Sequence, residues 1–227
     1  MIKVAFRDDD LDVPNPQFLT YHQLMQEYGF PVTYAVIPGR VSEEDALFFR
    51  RLKQHAMMNF TQHGWMHTNH GGKRKAEFGV RPRDIERHEI SMGFKRMNKL
   101  FGNDFLPLFV PPYHAYTMDT CKDALDAGCA GWSAKDNMPV IAGMKALNAH
   151  ILFDSYSDGG HSFLPAKDVI RQFLLYSKRV STVIFLTHHK KIGEDEQKEF
   201  ITVLQFLAVL RKKGLVTLTS FSELMCL

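Results

Sequence analysis

Four short segments hold the residues able to do chemistry. Arg7-Asp8-Asp9-Asp10 sets three carboxylates in a row behind an apolar run. Neighbouring carboxylates repel unless a cation or proton lies between them, so the trio suits one metal ligand beside one base. A solvated loop or a helix cap would use it equally well. His63-Gly-Trp-Met-His67 spaces two imidazoles four residues apart, on one face if the segment is helical, where one metal ion takes both. His70 can replace either ligand, although Asn69 and Gly71 beside it suit a loop. Phe109-Val-Pro-Pro-Tyr113-His114-Ala-Tyr116 pairs two prolines after a strand. Such a stiff turn either terminates the strand or aims the next backbone N–H at a developing oxyanion. Thr187-His188-His189 follows the apolar run VIFL, and side chains alternate along a strand, so one of the two histidines faces a common centre. An imidazole there can protonate a leaving group near neutral pH or serve as a structural hydrogen-bonder.

These segments need elements that bring them together. Ile2 to Phe6 reads as a buried strand that opens onto the acids. Asn15-Pro16 reads as an N-cap followed by a first-turn proline, with Phe18, Tyr21, His22 and Met25 at helical spacing up to Gly29. Pro31 to Ile37 is a second strand, Ser42 to Gln54 a capped helix, and Ala56 to Gln62 a third strand. His63 to Arg83, rich in His, Gly, Lys and Arg, reads as a long functional loop. Further helices are expected at Asp84 to Phe101, Thr117 to Asp126, Ala166 to Lys178 and Glu194 to Lys213. Further strands are expected at Leu106 to Val110, Ala130 to Ser133, Ala149 to Phe153, Thr182 to Leu186 and Leu215 to Leu218. The alternation argues for an α/β fold, a parallel sheet with helices outside it, either closed as a barrel or open and doubly wound. In both architectures ligands bind at the carboxyl ends of the strands, where the four segments converge.

At 227 residues, with 45% hydrophobic and 23% charged residues, the chain has ordinary globular usage and the size of one domain over 1–227. Its formal charge of +3 is too small to argue for nucleic acid or an anionic membrane surface. Cys121, Cys129 and Cys226 have no C-x-x-C spacing and read as small hydrophobes rather than a disulfide framework. Met1 to Asp10 reaches charged residues too early for a signal peptide, and no run approaches the ~18 apolar residues of a membrane span, so a cytoplasmic location is expected. The eleven histidines, several of them beside acids, aromatics and prolines, mark where function is to be sought.

In this order the segments resemble the polysaccharide deacetylase family (carbohydrate esterase family 4-like), whose NodB homology fold is a distorted parallel (β/α)7 barrel. Its acidic motif T-F-D-D-G aligns with Arg7 to Leu11, which places the base at Asp9 and a metal ligand at Asp10; a one-residue slip gives Asp8 and Asp9. H-[ST]-x-x-H aligns with His63 and His67, with Gly64 in place of the hydroxyl residue. R-P-P-[YF]-G aligns with Val110 to His114, with valine for the arginine that braces the base and histidine for the glycine. Arg7 is placed to supply the missing positive charge. Leu186 to His188 approximates the closing L-H motif, with Thr187 inserted. A divergent branch carrying R-x-D-D, H-G-[YW]-x-H, E-F and P-P-[WY]-x-x-Y fits better, through Glu77-Phe78 and Tyr113 to Tyr116.

The resemblance implies metal-dependent removal of an N-acetyl group from a sugar or glycan precursor. Asp10, His63 and His67 are the implied ligands of a divalent ion, Zn2+ first. Asp9 is the implied base, with a pKa raised by burial. His188, or His189 in another register, protonates the amine, and the backbone N–H of Tyr113 shares the oxyanion's charge. Trp65, Tyr116 and Arg7 are expected at the substrate, Trp132 in the core, and Asp154 and His161 either on the rim or in a loop. The alternatives are another C–N amide hydrolase on the same barrel and a non-catalytic carbohydrate-binding relative.

Overall fold

The computed structural model describes residues 1–53, 57–135, 141–157 and 160–226, with the backbone alone described at 155–157 and 160–161. In chain order the elements are β1 (Ile2–Leu11), α1 (Pro16–Tyr28), β2 (Val32–Val36), α2 (Glu43–Lys53), β3 (Met58–His63), α3 (Arg83–Phe101), β4 (Phe105–Val110), α4 (Met118–Ala127) and β5 (Gly131–Trp132). There follow β6 (Lys145–Ala146), β7 (Ile151–Leu152), β8 (Asp154–Ser157), β9 (Gly160–Phe163), α5 (Ala166–Tyr176), β10 (Thr182–Thr187), α6 (Glu194–Lys212), β11 (Val216–Leu218) and α7 (Phe221–Met225).

The helix starts follow local chemistry. Asn15 is extended and its side chain accepts the Phe18 N–H at 2.8 Å, Pro16 occupies the first turn, and Gly29 closes α1 in the left-handed region at φ 68°. Ser42 and Asp45 cap α2 reciprocally. The helices pack outside a parallel sheet of order β6-β5-β4-β3-β2-β1-β10-β7, with β11 also on β1. The sheet curls into an incomplete barrel, the distorted (β/α)7 architecture. Its core is rich in phenylalanine: Phe6 stacks on Phe185 at 4.9 Å and Phe60 on Phe101 at 4.3 Å. Each such ring contributes about 1.5–3 kcal/mol when fully buried. Among the described residues no helix is long and apolar enough to cross a membrane.

Three expectations change. Strand β1 does not stop at Phe6 but continues through the acids to Leu11, because β10 and β2 pair with it beyond Phe6. Ala149 to Phe153 shortens to β7, and the polar segment after it is a strand pair, with β8 and β9 antiparallel in the register Asp154↔Phe163 and Ser157↔Gly160. Asp158-Gly159 between alternating residues was its signal in the sequence. The expected strand start at Ala56 and the end of the second helix at Gln54 lie outside the described residues.

Candidate active site

Asp10, His63 and His67 meet at the carboxyl end of the sheet. Asp10 Oδ1 lies 3.2 Å from His63 Nε2 and 3.1 Å from His67 Nε2, and the three donor atoms fall within 4.8 Å of one another. His63 ends β3, and its Nδ1–H donates to the Val110 carbonyl at 3.1 Å, which turns Nε2 toward the centre. His67 is not on a helix with His63; it sits in the following loop at φ 54°. Burial, then the His63 and Arg40 charges, lower its pKa to about 4, so it is neutral at pH 7. A carboxylate oxygen this close to two imidazole nitrogens needs a cation or proton among them; against burial, the hydrogen bond to Asp10 raises the pKa of His63 and lets it carry that proton, and one carboxylate with two imidazoles is a donor set that suits zinc and similar divalent ions. The residues present fit a divalent metal.

Asp9 is buried beside this cluster and engaged from one side. Arg7, fully buried, donates Nε–H to Oδ1 at 2.8 Å and an Nη2–H to Oδ2 at 2.9 Å. The same guanidinium donates to the Ser133 carbonyl at 2.9 Å and to the Ser133 hydroxyl, which anchors β1 to the end of β5. Arg7 therefore occupies the role expected of an arginine at Val110, and its commitment leaves no surface for substrate. The pKa of Asp9 departs from the expected elevation: burial raises it, but Arg7 first, then His63 and His188, hold it below the usual carboxylate range.

Asp8 turns away from the centre. Its carboxylate accepts from the Thr187 hydroxyl at 2.9 Å, the His189 N–H at 2.8 Å and His189 Nδ1–H, all buried. Burial raises its pKa despite those partners. His189 is thus consumed by a structural pair, and His188 is the histidine that faces the site. Its Nδ1–H donates to Asp154 at 2.8 Å. Against burial, that hydrogen bond and the charges of Asp154, Asp9 and Asp10 lift its pKa to about 9, so it carries a proton at neutral pH.

Simple alternation would put Asp8 and Asp10 on one face of β1. The register shift between Asp8 and Leu11, with Asp10 at φ 70°, re-aims Asp10 instead. Among the described residues the non-glycine positions at positive φ are Asp10, His67, Tyr113 and His114, every one at this site. A left-handed residue of this kind costs on the order of 1 kcal/mol or more, and such costs gather where function demands a geometry.

Glu77 organises the His63–His67 loop. Its buried carboxylate accepts the backbone N–H groups of Met66 at 2.7 Å, Trp65 at 3.2 Å and Thr68 at 3.3 Å. A Cβ at Gly64 would meet Glu77 Oε2 at 2.0 Å and Pro112 Cγ at 2.4 Å, with φ +61° besides. Glycine replaces the motif's hydroxyl residue because the glutamate fills that space. The Tyr113 hydroxyl donates to the His67 carbonyl at 3.0 Å, and its ring packs 4.4 Å from the His67 ring. Trp65 and Tyr116 are half-buried, with Tyr116 edge-on to the buried Trp132 at 5.0 Å. His70 is exposed in the loop. The side chain of His161 lies outside the described residues. Two residues of the site carry little signal in the sequence: Ser133 belongs to no motif, and His114 shows only as a substitution of glycine.

A family model described as polysaccharide deacetylase matches residues 8–132, more than half of the chain. No curated protein matches its sequence. Solved structures share the fold along nearly all of it. One is a family 4 acetyl xylan esterase from Clostridium thermocellum in complex with a cobalt ion, 14% identical, covering 98% of this chain and 89% of that one at TM-score 0.63. Another is the family 4 carbohydrate esterase PdaA of Bacillus subtilis, 13% identical, covering 99% and 80% at TM-score 0.59. A third is a mutant of a CE4 family pseudoenzyme, 13% identical, covering 98% and 67% at TM-score 0.63. Such identities speak for the fold, while the family model spans the segments that carry Asp9, Asp10, His63, His67 and Tyr113: the chain belongs to the polysaccharide deacetylase family.

Proposed function

We propose that the protein is a metal-dependent hydrolase that removes an N-acetyl group from a sugar or glycan precursor. The observation that carries this reading is the set of three potential metal-donor atoms within 4.8 Å, standing beside the buried Asp9 held by Arg7 and the His188 held by Asp154. Asp10, His63 and His67 would hold a divalent ion, zinc first, which would supply Lewis-acid chemistry toward the acetamide carbonyl and a water molecule. Asp9, held below the usual carboxylate range, is a weak base for ordinary water and would need that help. Asp9 takes the proton of the attacking water on an oxygen lone pair that Arg7 leaves open. The Tyr113 backbone N–H donates to the developing oxyanion. His188 passes its Nε2 proton to the amine as the C–N bond breaks, while Asp154 keeps the ring in that tautomer. Trp65 and Tyr116 offer flat faces to the sugar. The valine at position 110 favours a relative that binds without turnover, and the Arg7–Asp9 pair supports the catalytic reading instead.

The first test is elemental analysis of protein purified without chelator, beside His63→Ala and Asp10→Ala. About one divalent ion per chain is expected, lost in both variants, with acetate released from N-acetylated sugars only by the metal-loaded protein. A chain that takes up no zinc, cobalt or nickel overturns the reading. The rate is also expected to fall as pH rises through about 9, since a neutral His188 has no proton to give. Asp154→Asn removes the carboxylate that raises that pKa, so the alkaline limb of acetate release moves to lower pH. A limb that does not move takes His188 out of the proton-donor role.

A further inference from the structure

His114 stands where the family's turn carries glycine, and it keeps a glycine-like backbone at φ 55°. Among the described residues no protein group bonds either ring nitrogen; Nδ1 is buried, which leaves Nε2 as the nitrogen a ligand can reach. The ring lies within electrostatic reach of Arg7, Asp9, His188 and His63, near the proposed base and acid, yet outside the metal-donor cluster. The side chain is therefore neither a ligand nor a bonded part of the scaffold, and it sits in a conformation that glycine adopts more easily. A ligand that bonds the imidazole accounts for both features. Burial first, then the Arg7 charge, lowers its pKa to about 3, so the ring is neutral, with one nitrogen donating and the other accepting. A hydroxyl serves the one reachable nitrogen, Nε2, in either tautomer, because it both donates and accepts; a carboxylate or phosphate would need the Nε2–H form, and a cation the Nε2 lone pair.

We infer that His114 is a specificity residue whose imidazole hydrogen-bonds a hydroxyl of the sugar ring that carries the acetyl group. The inference rests on the proposed deacetylation and adds what that reading lacks, a contact that tells a hydroxylated ring from a bare acetyl group. His114→Gly is a gentle test, since glycine takes the backbone conformation without strain, and its melting temperature is expected to be no lower than that of the parent. Both proteins, loaded with metal, are assayed on triacetylchitotriose and UDP-N-acetylglucosamine, and on 4-nitrophenyl acetate, which has the acetyl group and no sugar. The ratio of kcat/KM on the better sugar to kcat/KM on the ester is expected to fall about 10- to 100-fold in His114→Gly, chiefly through KM. His114→Asn, whose amide donates and accepts and tolerates the left-handed region, is expected to recover part of it. A sugar-to-ester ratio unchanged in His114→Gly overturns the inference and leaves the proposed activity standing. No acetate from either sugar with the parent protein overturns the proposed activity, and the inference with it.

Discussion

Asp9→Asn is expected to keep its metal and release acetate about 10²- to 10⁴-fold more slowly, the usual span for a lost general base. An amide has no lone pair basic enough to take the water's proton. The three metal donors belong to Asp10, His63 and His67, so the ion count is untouched. The substituted amide keeps one oxygen for Arg7 and loses the negative charge, and some fall in melting temperature is expected too. Metal content therefore has to be measured on the same sample as the rate. A variant that holds about one ion per chain, melts cooperatively and still turns over like the parent would remove Asp9 from the chemistry.

Arg7→Met is expected to have the largest effect on stability. The Arg7–Asp9 pair is fully buried with two short hydrogen bonds, and removing one partner of such a pair costs about 3–5 kcal/mol because the other charge stays behind in a low-dielectric interior. For a chain of this size that lowers the melting temperature by about 6–20 °C. The acid side of the rate profile shifts as well. Arg7 is the foremost group holding Asp9 down, so without it the pKa of Asp9 rises, and activity is lost at a higher pH as the solution is acidified. Lysine is a poor rescue, since one ammonium cannot present the fork that reaches both Asp9 oxygens and Ser133 together. The double variant Arg7→Met with Asp9→Leu is expected to cost less than the two single changes added, because no lone charge remains. Thermal denaturation of the four proteins checks this, and an Arg7→Met melting point within about 2 °C of the parent rejects the pair as a major support of β1.

The placement of Asp9 shows how far a linear motif can be trusted. Its neighbourhood was legible: an apolar run ending in acids belongs at the carboxyl end of a buried strand, and in a parallel sheet that is the ligand-binding rim. The motif alignment put the base at Asp9 and a metal ligand at Asp10 but left open a one-residue slip to Asp8 and Asp9. A strand's alternation pairs Asp8 with Asp10, whereas the register shift and the left-handed Asp10 separate them and hand Asp8 to Thr187 and His189. The same buried carboxylate decides between the two histidines after β10, since it draws His189 inward and leaves His188 to Asp154. Arg7 was marked as a positive charge near the acids, but its second anchor, Ser133, is 126 positions away in sequence.

By itself, then, the amino-acid sequence determined the alternation of strands and helices, the caps of the first two helices and the four segments that reach the rim. All of these follow from periodicity and local hydrogen bonding, which act over a few residues. Tertiary structure alone decided which way Asp8, Asp9 and Asp10 point, the inward turn of His189, the packing of Glu77 against Gly64 and the unpartnered ring of His114. Those depend on the register between strands and on which buried charge finds which partner, and a chain has no such information until distant segments have been brought within hydrogen-bond distance.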